Sequence, residues 1–563
     1  MIDYGIICEI ISASSFRKIS NKAYLLHFFA VLMTKFRKYL MRNRALNFLI
    51  LCAMSTASFA NDPDKNNPMI AGWPNYLAMG TITNGALQEP TNIRVDSVFT
   101  YNGAGGDGDP GKIETPYKIW NMINMAKNIK TNTGYSVNPV LVEYGWQLSG
   151  GWNPDSVTHL DDLTKHFFNL MFLSKTLEDN AYSNTGYYGT ILLNPDMLGY
   201  LGNTNRVETV KSLIIPVGQA VSDAYCMMTK KVDYNSTNTP NCNYGWENKP
   251  VIINGTPTDL LFWLKSKTDN YTAGQTFAVC VNEYALPLCS ASATSDVPDF
   301  TDNFNGWLQA QNWMAKYFGP HVALGVHENI SAVPEGGWWI HQGTSAVRPY
   351  VDKVLADLKS FELFTGTYKP DFIYFDRYGA DDYSSKFPNL LINQATFYND
   401  TAWQNFLTMT KGISEGLGEQ AGKDYIPAML WQIPAAHIPT QDEPILDAHE
   451  EGTAPVYFFG DPNLQKDLSN IASWINHDIT RLPAAYSICA DKSATQCLTL
   501  NNFNWAHNNT DQLKSAIDAH IFAILWGAGA FATGVWEVPG TTFPDNGWMA
   551  KKLSIYYKNP QFL

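Results

Sequence analysis

One recurrent pattern constrains the fold more than any other. An apolar, strand-like run ends in polar residues and gives way to a helix-like stretch, again and again along the chain. RVDSVFTYNGAGGDGDPG, from Arg94, precedes PYKIWNMINMAKNIK, and NPVLVEYGWQLSGG, from Asn138, precedes VTHLDDLTKHFFNLMFLSKTLED. GTILLNPDMLG, from Gly189, precedes a helical stretch running from Arg206 to Lys231. PHVALGVHENI, KPDFIYFDRY, IPAMLWQIPAAHIP and DAHIFAILWGAGAFATGVW continue the strand series. DNFNGWLQAQNWMAKYFG, AVRPYVDKVLADLKSFELF and TAWQNFLTMTKGISEGLGEQ are its helices. Strands alternating with helices of a dozen residues or more imply βαβ units and a parallel sheet. Seven such units are visible, and the stretch from Lys231 to Asp299 has room for an eighth. The expected fold is therefore α/β, a (β/α)8 TIM barrel. No GxGxxG loop follows a strand, and NGAGGDGDPG lacks the lysine and spacing of a P-loop, which speaks against an open nucleotide-binding sheet.

The first sixty residues belong to a different category. From Met33, basic MTKFRKYLMRNR leads into the short apolar run ALNFLILCAM and the small residues of STASFA. That is the order of a secretory signal peptide, with Ala60 as the last residue removed, and its apolar core is too short to span a bilayer. Residues 1–60 are read as upstream sequence plus signal. Residues 61–563 are read as a single catalytic-type barrel domain with an irregular insertion at 231–297. The expected location is secreted, periplasmic or extracellular.

Six cysteines follow the leader: Cys226, Cys242, Cys280, Cys289, Cys489 and Cys497. An even count in an exported chain implies disulfides, here staples of the loop insertions. Fifteen connectivities are open, and three local bridges (226–242, 280–289, 489–497) are the simplest. Their spacings match no zinc signature. The formal net charge is −13, and removing the basic leader makes the chain more acidic still. Nucleic acid and anionic membrane are poor partners for such a surface. A monomer without a cofactor is expected.

In a parallel barrel, chemistry sits at the C-terminal ends of the strands. There the sequence places Tyr101 and Asn102; Glu143, Tyr144 and Trp146; Asn194 and Asp196; His327, Glu328 and Asn329; Asp376, Arg377 and Tyr378; and Trp431, Gln432 and His437. Carboxylates, amides and aromatics converge, without a serine or cysteine nucleophile or a metal triad motif. Glycoside hydrolysis needs one carboxylic acid to protonate the leaving oxygen and a second carboxylate as nucleophile or base. Aromatic faces stack on sugars, and amides, imidazoles and guanidinium groups bind hydroxyls. With 17 Trp, 29 Tyr and 29 Phe the chain has the rings for it, although core packing uses such rings too.

The candidate catalytic residues are Asp376, Asp196 and Glu143. The candidate substrate contacts are Asn194, Arg377, Tyr378, His327, Trp431, Gln432, His437 and Trp146, with a carbohydrate as the partner. Each acid has a plainer reading. Asp376 and Arg377 can form an ion pair at the rim. Asp196 can equally be a helix N-cap, and Asp381 and Asp382 suit helix capping. Glu143 can be satisfied by a structural bond. Glu328 points away from the lumen if His327 points in, because strand residues alternate. No metal is expected: the histidines match no HExxH spacing, and Asp107 and Asp109 lack a full calcium ladder. Two rivals remain open, a secreted barrel that binds polysaccharide without cutting it and a metal-dependent extracellular hydrolase.

At FDRY, LLNPDMLG and MLWQIPAAH the chain resembles secreted bacterial TIM-barrel proteins of the broad glycoside-hydrolase type, closest to a group with FDxY and WQIPxxH strand ends. Asn194, Asp196, Asp376, Tyr378, Trp431, Gln432 and His437 carry the resemblance. It implies a barrel over most of the mature chain, with its site at these strand ends. The chain departs from the DxxDxDxE signature of chitinases and from the Asn-Glu strand end of many retaining glycosidases.

Overall fold

In the computed structural model the described residues are 69–83, 91–102, 114, 117–146, 148, 151–229, 231–232, 258–259, 296–341, 343–377, 398, 400–437, 451–452, 454–461, 511–527, 535 and 547–563. Eight parallel strands close into a TIM-type barrel. They are β1 (Ala78–Ile82), β2 (Ser97–Tyr101), β3 (Asn138–Glu143), β4 (Thr190–Leu193), β5 (Ala323–Glu328), β6 (Phe372–Asp376), β7 (Ala428–Ile433) and β8 (Ile521–Trp526). Neighbours in sequence pair around the ring, and β8 closes on β1 through Ala78 opposite Ala523 and Thr81 opposite Trp526.

Helices lie between successive strands from β2 to β8: α1 (Tyr117–Thr133), α2 (Leu160–Thr185), α3 (Val217–Thr229) and α4 (Phe304–Phe318) both before β5, α5 (Val347–Ser360), α6 (Asp400–Ala421) and α7 (Leu513–Asp518); α8 (Trp548–Tyr556) follows β8. The helical stretch expected from Arg206 to Lys231 is broken. A short helix, Val207–Lys211, ends before Pro216, whose ring and missing N–H suit only a helix start, and α3 begins one residue later.

Side chains alternate between two cores, as the two-residue period of a strand requires. Phe99, Val140, Val142, Leu192, Ala323, Phe372, Tyr374, Met429 and Trp431 fill the lumen. Val98, Leu141, Ile191, Leu324, Val326, Ile373, Phe375 and Leu430 pack outward against the helices. Every residue of β3 to β8 is buried, which is why these segments read as near-continuous apolar runs. Fully burying each large apolar side chain contributes about 1.5–3 kcal/mol. Gly325 in β5 makes room for its neighbour in β6, since a Cβ there would run into the Phe372 ring.

The eighth strand is not where the sequence placed it. β4 pairs directly with β5, Thr190 opposite Ala323 and Leu193 opposite Val326, so none of the eight strands of the ring comes from residues 231–297. Within that insertion the described residues show only Lys231–Val232 paired antiparallel with Thr258–Asp259. The missing strand is β1, ahead of the first run recognised. Its residues, AMGTI, carry little apolar bulk and a glycine, and so give a weak strand signal.

Among the described residues no two cysteines stand at disulfide distance. Cys226 is in a disulfide whose partner lies outside them, as do the other five cysteines and the leader. The pairings thus stay as expectations. No described helix is long and apolar enough to cross a membrane.

The N-terminal end of the barrel is plugged. Trp73 packs edge-on against Phe522 and donates from Nε1 to Thr190 Oγ1 at 3.0 Å. Asp96, just before β2, accepts from Tyr76 Oη at 2.6 Å, Met79 N at 2.9 Å and Tyr557 Oη at 2.9 Å. Arg94 lies over the Tyr135 and Tyr557 rings beside it. This end is built for closure, which leaves the opposite end for chemistry.

Candidate functional site

Parity decides which side chains reach the C-terminal mouth. On β6, Phe372, Tyr374 and Asp376 share one face, and that face is the lumen. On β5, Ala323 and Gly325 point inward, and His327 follows them. On β7, Met429 and Trp431 do the same. His327, Asp376 and Trp431 therefore meet on neighbouring strands, with Asp376 opposite Trp431 and His327 opposite Tyr374 in register.

Asp196 arrives by a sharp turn after β4. Asn194 and Asp196 both adopt left-handed backbone, φ 51° and 64°, which is uncommon outside glycine and costs free energy that the surroundings must hold. The Asn194 side chain holds it. Its Oδ1 accepts from Gly145 N at 2.8 Å and its Nδ2 donates to Gln311 Oε1 at 3.1 Å. No side chain fits at Gly145, where a Cβ would stand 2.5 Å from Asn194 Oδ1. Asp196 occupies the N-cap position of the helix Met197–Asn203, but its side chain makes no capping bond. Its main-chain N–H instead donates to His327 Nδ1 at 2.8 Å.

On the other side of the ring, His327 Nε2 lies 3.2 Å from Asp376 Oδ1. The approach is off the N–H axis, so it is an electrostatic contact short of a full hydrogen bond. One ring nitrogen and one oxygen from each of Asp196 and Asp376 lie within 4.8 Å of one another. His327 is fully buried, Asp376 nearly so, and Asp196 half-buried. Burial opposes charge on the imidazole, but the charges of Asp376, then Asp196 and Glu328, raise its pKa above the ordinary value. A second proton still has no place, because Nδ1 already accepts an N–H. The geometry is that of a neutral ring with its proton on Nε2.

Aromatic rings wall this group. Tyr374 and Trp431 flank His327 at ring-centre distances of 4.8 and 5.6 Å, and the Tyr374 hydroxyl donates to Leu193 O at 2.9 Å. Tyr101 and Tyr144 lie nearly parallel at 6.3 Å, with Tyr101 edge-on to Trp431. Gln432, left-handed at φ 53° where the β7–β8 register slips, bonds the Tyr101 hydroxyl through Nε2. The slip is a bulge, and bulges re-aim side chains at barrel rims.

Several other candidates stand apart. Glu143 follows Leu141 in parity and faces the helices, accepting from Asn102 Nδ2 at 2.7 Å; burial, then the charge of Glu114, pushes its carboxyl up to about 8. It is not beside Asp376. Arg377 also points outward, with its guanidinium carbon 3.1 Å from the centre of the Tyr398 ring. Trp146 is buried among Trp152, Phe304 and Trp307 and donates to Asn153 O at 2.9 Å. Asn194 holds the turn behind the mouth. Glu328 faces outward, as the alternation with His327 requires, and burial pushes its carboxyl up to about 8. Tyr378 and the side chain of His437 lie outside the described residues.

Three residues of the mouth had no role assigned from the sequence: Tyr374, Tyr101 and Tyr144. The signal was in the strand period, since Tyr101 follows Phe99, Tyr144 follows Val142 and Tyr374 follows Phe372 on the lumen face. Compared with protein-family models, curated proteins and solved structures, the chain matches none.

Proposed function

We propose that this barrel is a secreted glycoside hydrolase that cuts a polysaccharide or oligosaccharide with Asp376 and Asp196 as its carboxylate pair. A barrel alone hosts many chemistries, so the proposal stands on the site. The observation that carries it is the approach of those two carboxylates, from different strand ends, within 4.8 Å at the aromatic-lined mouth. Retaining glycosidases hold their carboxyls about 5–5.5 Å apart and inverting ones about 6.5–9.5 Å, and the approach here supports retention. Asp376, deep on β6, is placed to attack the anomeric carbon. Asp196, half-buried at the turn, is placed to meet both the leaving oxygen and the water that resolves the intermediate. Tyr101, Tyr144 and Trp431 offer the faces on which a sugar ring would rest.

The same cluster supports a second reading, a metal-dependent hydrolase, since two carboxylates and an imidazole are a hard-metal or zinc donor set. The Asp196 N–H weighs against it. A histidine bound to metal through Nε2 carries its proton on Nδ1 and donates it to an acceptor, whereas here Nδ1 faces a donor.

The test uses residues 61–563 and the Asp376→Asn variant on a polysaccharide panel, recording reducing-end release and protein depletion from solution. Release by the parent, falling about 10³-fold or more in the variant, is expected. Turnover unchanged in the variant would remove Asp376 from the mechanism. Depletion without release, equal in both, would identify a carbohydrate-binding barrel. Activity lost with a chelator and restored by a divalent metal would favour the second reading.

A further inference from the structure

The contact between Asp196 N and His327 Nδ1 fixes more than the position of the ring. An amide N–H can donate only to a lone pair, so Nδ1 carries no proton and the proton of the neutral ring sits on Nε2. The ring cannot turn to reverse this. It is fully buried, with Tyr374 on one side and Trp431 edge-on at the other. The amide cannot readily turn either, since it belongs to a left-handed residue in a turn held by Asn194 and Gly145.

The Nε2 proton is therefore a fixed donor, 3.2 Å from Asp376 Oδ1 but off line, and without a complete hydrogen bond. A second buried donor of the same ring cluster, Trp431 Nε1, has no hydrogen-bond partner either. Buried donors left unmatched are unfavourable, and a ligand oxygen is what relieves them. A hydroxyl oxygen, which accepts, would satisfy either donor.

We propose that His327 is locked by the main chain of Asp196 as the Nε2–H tautomer, in which it orients Asp376 and presents its proton to a hydroxyl oxygen of the substrate. This rests on the glycosidase reading for its catalytic consequence, but not for the tautomer. His327 would meet the substrate directly, whereas the Asp196 amide is the positioning group and acts only through His327.

The experiment is long-range proton–nitrogen NMR on the full mature chain with 15N-labelled histidine, the His327 signals being assigned by their loss in His327→Gln. Nδ1 is expected to show the shift of an unprotonated nitrogen and Nε2 that of an N–H, unchanged by added Zn²⁺ or Mn²⁺. A proton on Nδ1, or loss of the Nε2–H on metal addition, would overturn the proposal.

Kinetics supply the second arm. His327→Leu is expected to lower kcat about 10²-fold with little change in KM, as for a lost preorganised donor. His327→Gln, which keeps an N–H near the same place, should recover most of that loss. Equal losses in two variants of wild-type Tm would refute positioning by the donor. If the parent cleaves no polysaccharide, the glycosidase reading fails while the tautomer signal still decides the lock.

Discussion

Asp376 and Glu143 are both carboxyl residues at the ends of apolar strands, and the parity of the strand alone separates them. Asp376 follows Phe372 and Tyr374 into the lumen; Glu143 follows Leu141 out among the helices, bonded to Asn102. Composition and motif made both of them candidates, while counting by twos from the surrounding apolar residues separates them. The same count sets His327 toward the lumen and Glu328 toward the helices. Glu143→Gln should accordingly leave kcat within about tenfold of the parent on any polysaccharide the parent cleaves, well short of a general acid's contribution. A loss as large as that of Asp376→Asn would return Glu143 to the mechanism. Asp196 was visible as a residue type but not as a donor. Beside its carboxylate, a second part is played by its main-chain N–H, which any residue but proline would carry at that position and no sequence motif records.

Among the elements, seven of the eight strands and the helices between them were legible because parallel strands buried on both faces are long apolar words between amphipathic ones. β1 escaped because AMGTI carries little apolar bulk, and its identity as a strand is set by pairing with β2 and β8 rather than by its own composition. The same logic makes Gly325 an exacting position. It sits opposite Phe372, and the lumen is filled by that ring in place of a side chain on β5. Gly325→Ala should destabilise the barrel by about 1–3 kcal/mol, the usual cost of overpacking, measured by denaturant unfolding with the slope unchanged. A neutral result would mean that β5 and β6 can part at no cost, contrary to the close packing of the lumen.

For the whole molecule, the buried titratable groups set a pH dependence with a definite sign. Burial raises Glu328 from 4.5 to about 8 and, with the charge of Glu114, raises Glu143 likewise. Between those pH values the folded chain holds protons that the unfolded chain has released. Each group's contribution is complete below about pH 4.5 and is lost as pH rises toward 8, at about 1.4 kcal/mol per unit. His166 runs the other way. Burial lowers it from 6.5 to about 4, so its contribution is present above 6.5 and lost as pH falls toward 4. Urea unfolding from pH 5 to 8 should show Glu328→Gln losing less stability than the parent; parallel curves would mean that Glu328 ionises freely in the fold.

The plugged end has a consequence of another kind. Residues from opposite ends of the described chain are knotted together there by Leu77 N to Gln561 O at 2.9 Å, Leu563 N to Asn75 O at 3.0 Å and the antiparallel bridge of Tyr76 with Phe562. Among the described residues, a hoop clasped in this way ties its first strand to its last residues. Fraying at the margins, the ordinary first step of local opening, would have to break the clasp and the barrel seam together. The amides of Leu77 and Leu563 should exchange with deuterium only as slowly as those at the centre of β8, and faster exchange at Leu563 would show that the clasp opens by itself.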